Sequence, residues 1–374
     1  MLVYADAAAT TRMSQAAMEI MLPYFRDFYG NPSSSHFVGS KSAEALAYAR
    51  AQIASCINAE PEEIYFTSGG TESNNWAMRL GSSNNIACFA SEIEHHAVLG
   101  AASLTRWHRK ILVNEDGIID TRDIDVATGP LKAPFISVML ANNEIGTIQP
   151  VCDIASMNGK YFSVHTDAVQ AVGHIPVDVK ALGVDMLSAS AHKFHGPKGV
   201  GFLYVKKGVP MIPMLYGGGQ ERGVRSGTEN LPGIAGMAAA LQEATQNLPV
   251  TVPKVTAMRE RLIEGLSKVP GAILNGHREK RLPGIVNFCF DGVDGETLVV
   301  LLSERGIMAS SGSACHSGSR NPSHVLMAIG RSAEQAKSAL RLSIDDTNTE
   351  EEIDYILKVV PECVSYLRTI SPKE

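Results

Sequence analysis

Val184-Asp185-Met186-Leu187-Ser188-Ala189-Ser190-Ala191-His192-Lys193-Phe194-His195-Gly196-Pro197-Lys198-Gly199 carries the decisive signal for the fold. Its first half is a short apolar run of the kind that forms a buried strand, and its Gly/Pro half reads as a tight loop. Lys193 is thereby delivered to the carboxyl end of a strand, in a cleft. Desolvation there lowers an ammonium pKa, and a neutral lysine amine can form a Schiff base with a carbonyl compound. A lysine at a strand end can equally snorkel to water and have no chemical role. The rest of the chain decides between the two.

Apolar runs of the same kind recur through the first 250 residues, at Glu63 to Thr67, Ile86 to Ala90, Phe135 to Leu140, Phe162 to His165, Asp185 to Ser190 and Val200 to Val205. Helical spacing separates them. Ala43, Leu46, Ala47, Ala54 and Ile57 mark a helix over Lys41 to Asn58, and another opens at Thr71. Such alternation predicts an α/β fold with an open, mainly parallel sheet covered by helices, which binds ligands at the carboxyl ends of its strands.

After about residue 250 the order changes to a helix (Val255 to Lys268), a strand (Gly284 to Phe290), a helix (Gly295 to Arg305), a Ser/Gly-rich loop, a strand (Ala339 to Ile344) and a closing helix (Glu350 to Leu367). That is a smaller α+β domain. The expected division is 13–250 for the large domain and 1–12 with 251–374 for the small one, which carries the loop at about 309–322. Asn247-Leu248-Pro249-Val250-Thr251-Val252-Pro253 marks the boundary, because two prolines are expected to interrupt any helix crossing it.

Composition narrows the function classes. The 374 residues are 45% hydrophobic, ample for a large core. A net charge of -6 leaves no electrostatic footprint for nucleic acid or an anionic membrane. No apolar stretch approaches the roughly 18 residues needed to span a bilayer, and Met1-Leu2-Val3-Tyr4-Ala5-Asp6 lacks a basic segment leading into an apolar one. A cytoplasmic protein is expected. Cys56, Cys88, Cys152, Cys289, Cys315 and Cys363 form no CxxC pair, so the cysteines predict neither a metal site nor a disulfide framework.

Four further features fall at predicted strand ends. Thr67-Ser68-Gly69-Gly70-Thr71-Glu72-Ser73-Asn74-Asn75 follows a strand and opens a helix, so its backbone N–H groups and the Thr71 hydroxyl can hold a phosphate. It can also be an ordinary βα turn with a helix cap. In Phe162-Ser163-Val164-His165-Thr166-Asp167-Ala168-Val169-Gln170, Asp167 suits the protonated ring nitrogen of pyridoxal 5'-phosphate (PLP), with Gln170 able to reach the ring oxygen; a strand-end Asp is otherwise a turn residue. In Glu94-His95-His96-Ala97, an imidazole can stack on a flat cofactor and move a proton, or the two histidines can bind a metal. Asn142-Asn143-Glu144-Ile145-Gly146 offers an amide to the same cleft, or is a turn. With Lys193, these are the parts of a PLP site.

The second domain supplies different chemistry. Ala309-Ser310-Ser311-Gly312-Ser313-Ala314-Cys315-His316-Ser317-Gly318-Ser319-Arg320-Asn321-Pro322 holds five serines and two glycines around one cysteine, so packing does not account for the thiol. Cys315 is either a surface cysteine without a role or a nucleophile on an exposed loop, able to take electrophilic sulfur as a persulfide. Arg341 interrupts an apolar strand, where its guanidinium can clamp an α-carboxylate or make a rim salt bridge.

Assembled in this way, the sequence resembles the NifS/IscS-type cysteine desulfurases of the class V aminotransferase family. The resemblance runs from Tyr4-Ala5-Asp6-Ala7-Ala8-Ala9-Thr10-Thr11 through Gly30-Asn31-Pro32-Ser33-Ser34 to Ser311-Gly312-Ser313-Ala314-Cys315 and Pro322-Ser323-His324-Val325-Leu326. It implies a fold-type I PLP enzyme with a seven-stranded sheet in its large domain. Lys193 would carry the cofactor, Gly70, Thr71, Ser190 and His192 its phosphate, and His95 would stack on the ring. Asp167 would meet the ring nitrogen, with Asn143 and Gln170 near its oxygen. Arg222-Gly223-Val224-Arg225-Ser226-Gly227-Thr228 resembles the stretch whose threonine, here Thr228, reaches the phosphate of a partner subunit, implying a homodimer.

Arg341 with Asn31 would contact the substrate carboxylate, and the long Cys315 loop resembles the group that serves iron-sulfur cluster assembly. The implied reaction removes sulfur from L-cysteine, giving L-alanine and a persulfide on Cys315 for a sulfur-acceptor protein. A selenocysteine lyase or another class V activity is the alternative, and a scaffold that has kept only the fold is a third. One departure is visible. Only Val151 to Tyr161 links two strands that should run parallel, so the crossover helix there must be short or distorted.

Overall fold

Residues 1–81, 87–122, 124, 134–157, 162–311 and 321–370 are described in a computed structural model of the chain. The chain enters through β1 (Val3–Tyr4), which pairs in parallel with a strand near the far end of the sequence, β11 (Ile307–Met308). The large sheet follows, from β2 (Ile64–Thr67), β3 (Cys88–Ser91), β4 (His108–Ile111), β5 (Phe135–Ser137), β6 (Ser163–Asp167), β7 (Met186–Ser190) and β8 (Gly201–Val205). Its order is β2-β8-β7-β6-β5-β3-β4. β4, β3, β5, β6 and β7 are mutually parallel, while β8 runs antiparallel to both β7 and β2. The mainly parallel seven-stranded sheet is therefore as expected.

Every residue of β3, β5, β7 and β8 is buried, which accounts for their continuous apolar runs. β4 is the strand that the apolar pattern misses: His108, Arg109 and Lys110 are exposed on the sheet edge and only Ile111 is buried. Inside the sheet, β5, β6 and β7 are cross-linked by His165, whose Nδ1 lies 2.8 Å from Ser137 Oγ and whose Nε2 lies 2.9 Å from Ser188 Oγ. Burial pushes His165 down to about 3, so the ring bridges the two hydroxyls as a neutral imidazole.

Local signals set the flanking helices. Gln15–Arg26 is capped by Ser14, whose hydroxyl accepts from Ala17 N, and Phe37–Cys56 by His36, whose Nδ1 accepts from Gly39 N. A second apolar core forms around the antiparallel sheet β12 (Ala339–Ser343), β10 (Ile285–Phe290) and β9 (Ala272–Leu274). The helices Gly295–Glu304 and Glu350–Ile370 contribute to it. Among the described residues, the link from β5 to β6 contains the six-residue helix Val151–Ser156, as short as its length required.

One expectation fails. The prolines do not interrupt the helix, which runs unbroken from Leu231 to Leu266 with Pro249 and Pro253 inside it. Both prolines are exposed and lie four residues apart on one face. On an exposed face water can satisfy the carbonyls that lose their N–H partners, which reduces the usual penalty for proline in a helix. No described helix is long and apolar enough to cross a membrane.

Candidate active site

β6 ends at Asp167, and Ser188 of β7 stands opposite it in register, so the two strand ends share one rim of the sheet. Ala191–Lys193 then make a single 3₁₀ turn, which puts Lys193 three residues past the strand rather than at its last position. Its Nζ donates to the carbonyls of Ala8 and Ala9, both at 2.7 Å. Gln170 Nε2 donates to the same Ala8 carbonyl at 2.9 Å. The Ala7–Ala9 segment is in turn fastened to β12, by Ala7 N to Ser343 O and Ala8 N to Ser343 Oγ, each at 2.9 Å. The amine is thus held where the N-terminal segment crosses the mouth of the sheet.

Asp167 is 4% exposed. Its Oδ2 accepts from Asn74 Nδ2 at 2.6 Å and its Oδ1 from Val169 N at 3.0 Å. No ion pair joins it to a cation of the described residues, and a buried carboxylate with only neutral donors is costly. A protonated ring nitrogen would supply the missing charge. Asn74, which orients the carboxylate, has a buried Oδ1 without a hydrogen-bond partner.

The glycine turn lies beside this carboxylate. Gly70 opens the helix Gly70–Gly81, whose first N–H groups have no partner within the helix. A Cβ on Gly70 would come within 2.7 Å of Val169 Cγ2, and one on Gly201 within 2.5 Å of the Ala189 carbonyl. These glycines let the turn close onto the strand ends. Ser190 is buried, Thr71 is exposed at the helix start, and His192 Nδ1 lies 3.2 Å from Thr10 Oγ1. Burial, assisted by the charges of Lys193 and Lys198, pushes His192 down to about 4, so it is neutral at pH 7. Backbone N–H groups, hydroxyls and a neutral imidazole suit a phosphate.

His95 caps the helix His96–Ser103, its Nδ1 accepting from Ala97 N at 3.1 Å. That bond places the proton of the neutral ring on Nε2. Behind it, fully buried Glu94 accepts from Ser91 Oγ and Met139 N with Oε1, while Oε2 has no partner. Burial, with a contribution from the Asp167 charge, pushes Glu94 up to about 8. Asn143 is half-buried, and its carbonyl accepts from Arg341 Nη1 at 3.1 Å. Its neighbour Glu144 accepts from Ser323 Oγ at 2.5 Å and is pushed up to about 7 by burial, against the pull of Ser323, Arg341 and His95.

Arg341 is 2% exposed, and the pair it makes is internal rather than on the rim: Nη2 donates to Asp6 Oδ1 at 2.8 Å. Its Nε is buried without a partner. Ser310 brackets Arg341 through both backbone bonds, at 2.7 and 3.1 Å. Asn31 is exposed and its hydrogen bonds are local, to Ser33 N and Ser34 N, so no bond among the described residues joins it to Arg341. Thr228 is exposed, beyond Arg225, which pairs with Glu72 at 2.7 Å. Cys315 lies outside the described residues. Asp6, Ala8, Ala9, Asn74, Glu94 and Glu144 were not singled out by the sequence reading, although Asn74 lies within the glycine-turn stretch and Glu94 directly precedes His95.

The geometry meets its counterpart in known proteins. The model of the "Aminotransferase class-V" family matches residues 3–356. The chain belongs to the class-V aminotransferase family. It is 46% identical to a cysteine desulfurase IscS of Methanosarcina thermophila, over 99% of this chain and 94% of that protein. To a cysteine desulfurase IscS of Clostridium botulinum it is 44% identical, over 99% and 96%. Among solved structures, a NifS-like protein superposes with a TM-score of 0.91 at 38% identity, covering 98% of this chain and 100% of that one. SspA in complex with cysteine superposes with a TM-score of 0.80 at 32% identity, covering 91% and 98%.

Proposed function

We propose that the chain is a PLP-dependent cysteine desulfurase, which takes sulfur from L-cysteine, releases L-alanine and leaves a persulfide on Cys315 for a sulfur-acceptor protein of iron-sulfur cluster assembly or another carrier. The observation that carries this reading is the placement of Lys193, on the turn just past β7, at the same rim of the sheet as buried Asp167, which has no cation partner among the described residues, beside a strand whose Arg341 is bonded to the root of the Cys315 segment. When bound, PLP withdraws electrons from the substrate and makes its Cα proton removable.

Within that reading, Lys193 holds the cofactor and moves the substrate's Cα proton, which requires Nζ to leave the carbonyls of Ala8 and Ala9. Asp167 would keep the ring nitrogen protonated. Gly70, Thr71, Ser190 and His192 would hold the phosphate, with Gln170 and Asn143 available to the ring oxygen. His95 would lie against the ring and offer Nε2–H for proton transfer. Arg341, with its unpartnered Nε, takes the substrate carboxylate together with Asn31. Cys315 is five residues beyond Ser310, a reach of roughly 17 Å at full extension. Its thiolate attacks the substrate sulfur, and the carbon fragment leaves as L-alanine.

A cytoplasmic homodimer completes the reading. Leu22, Phe25, Tyr29, Phe37 and Tyr216 are exposed large apolar side chains that suit a second copy, and Thr228 is exposed to reach that copy's phosphate site. Sedimentation at micromolar concentration should give a dimer; a monomer would remove Thr228 from the site. Incubation with PLP and L-cysteine should yield alanine. Amino transfer to a keto acid without sulfur release would instead favour an aminotransferase, and a selenocysteine lyase would act on selenocysteine in preference to cysteine.

A further inference from the structure

We propose that His195, Asp345 and Asp346 form a divalent-cation site of the four-coordinate nitrogen and oxygen kind that Zn2+ or Co2+ fills. His195 lies two residues past Lys193, with its backbone N–H donating to Thr11 Oγ1 at 2.8 Å. Its Nδ1 lies 2.9 Å from the Arg12 carbonyl. A carbonyl only accepts, so Nδ1 carries a proton and Nε2 of the neutral ring is a bare lone pair. That lone pair faces Asp346 Oδ1 at 3.5 Å and Asp345 Oδ2 at 3.9 Å. Three acceptor atoms from different side chains lie within 4.8 Å of one another, and no other described residue donates a hydrogen bond into the gap.

A proton or a metal ion can relieve that repulsion, and the distances separate the two. A charged N–H···O bond closes to about 2.8 Å. Two ligands about 2 Å from one tetrahedral ion stand roughly 3.4 Å apart, much nearer the spacing here. Asp345 gives independent support. It is 7% exposed, and its Oδ1 accepts from Thr347 N and Oγ1, at 2.9 and 2.6 Å. Its Oδ2 accepts no hydrogen bond from the described residues, so one oxygen of a nine-tenths buried side chain lies 3.9 Å from Nε2 without a donor. An Nδ1–H bonded to a backbone carbonyl is also how metal-bound imidazoles are held.

A cavity of about 350 Å³ borders all three side chains and gives a hydrated ion a way in, with water for the remaining ligand position. Arg12 and Glu243 also line it, and Lys254 Nζ donates to the Asp346 carbonyl at 2.7 Å. Two cations therefore stand against three carboxylates, a balance that favours a dication. His195 belongs to the loop that follows Lys193, and Asp345 and Asp346 follow β12, which bears Arg341. An ion there clamps the cofactor-holding loop to the strand of the substrate-side arginine, without touching substrate.

Titrating the full chain with Co2+ tests this. The expected result is one ion per chain, with the visible absorption of a four-coordinate nitrogen and oxygen site and no thiolate-to-metal band. Asp346→Asn and His195→Gln should each weaken binding ~10-fold or more, with the metal-free melting temperature unchanged in at least one of them. Added Co2+ should raise the melting temperature of the wild type and not of that variant. Absence of binding at millimolar Co2+, a thiolate spectrum, or binding undiminished in both variants would each overturn the site.

Discussion

Two halves of the candidate site differ in how they are built. The Lys193 half is assembled on strand ends, from β6, β7 and the turn after β2, and each part sits in a contiguous motif. The Arg341 half is assembled across the chain: Arg341 pairs with Asp6, 335 residues away, and bonds to Asn143, 198 residues away. The N-terminal segment joins them, because Ala8 accepts from Lys193 and donates to Ser343. The first half sits on rigid buried strands and suits a tightly held cofactor, whereas the second brings together three distant pieces of chain and suits a ligand that comes and goes. Substitutions should separate the halves by what they disturb.

Lys193→Ala gives the largest effect. It should lower turnover by roughly 10³-fold or more and abolish the visible absorbance of the bound cofactor. Substantial turnover in that variant breaks the comparison at its root. Asp167→Asn keeps the hydrogen-bonding shape but removes the charge. It should retain bound cofactor while kcat falls about 10²-fold, as measured by alanine release under saturating cysteine. Arg341→Lys probes the other half. A lysine cannot reproduce the fork that spans Asn143 O and Asp6, so kcat/KM should fall ~10-fold to 100-fold, chiefly through KM, with the absorbance intact. Loss of the absorbance instead would mean that the halves are not separable.

The smallest effect concerns the support behind His95. Glu94 has its folded pKa raised above the unfolded value, so the stability that it contributes is present below about pH 4.5 and is lost as pH rises toward about 8. Glu94→Gln should therefore gain relative to wild type across that window, by on the order of a few kcal/mol at its upper end, read from urea midpoints. Parallel pH profiles for the two proteins would place the ionised carboxylate in a more polar setting than the one seen here.

The difference between the halves also sets what the sequence alone reveals. β7, β8 and the turn at Gly70 are legible because strands buried on both faces read as short apolar runs whatever their direction, and the glycines are needed for close approach. β4 is not, since its edge position leaves His108, Arg109 and Lys110 in water. The prolines misled because helix tolerance depends on which face meets solvent, a property of the tertiary fold rather than of Pro249 and Pro253 themselves. Asp6, Glu144 and His195 lie within recognisable stretches, but nothing local names their partners; only the crossing of distant segments brings them to Arg341, Ser323 and Asp346. Arg341 could be named as a strand-interrupting guanidinium, but its hold on Asp6 and on the backbone of Ser310 could not.

The central claim is that sulfur leaves L-cysteine for Cys315 in a site organised by Lys193. Incubating the full chain with PLP and L-cysteine, alkylating it and mapping it by mass spectrometry tests that claim most directly. The expected result is one added sulfur on the peptide bearing Cys315, matched by alanine, and neither product from a Cys315→Ser protein that still binds the cofactor. Alanine formed at the full rate by that variant, or sulfur found on another cysteine and absent from Cys315, would contradict it.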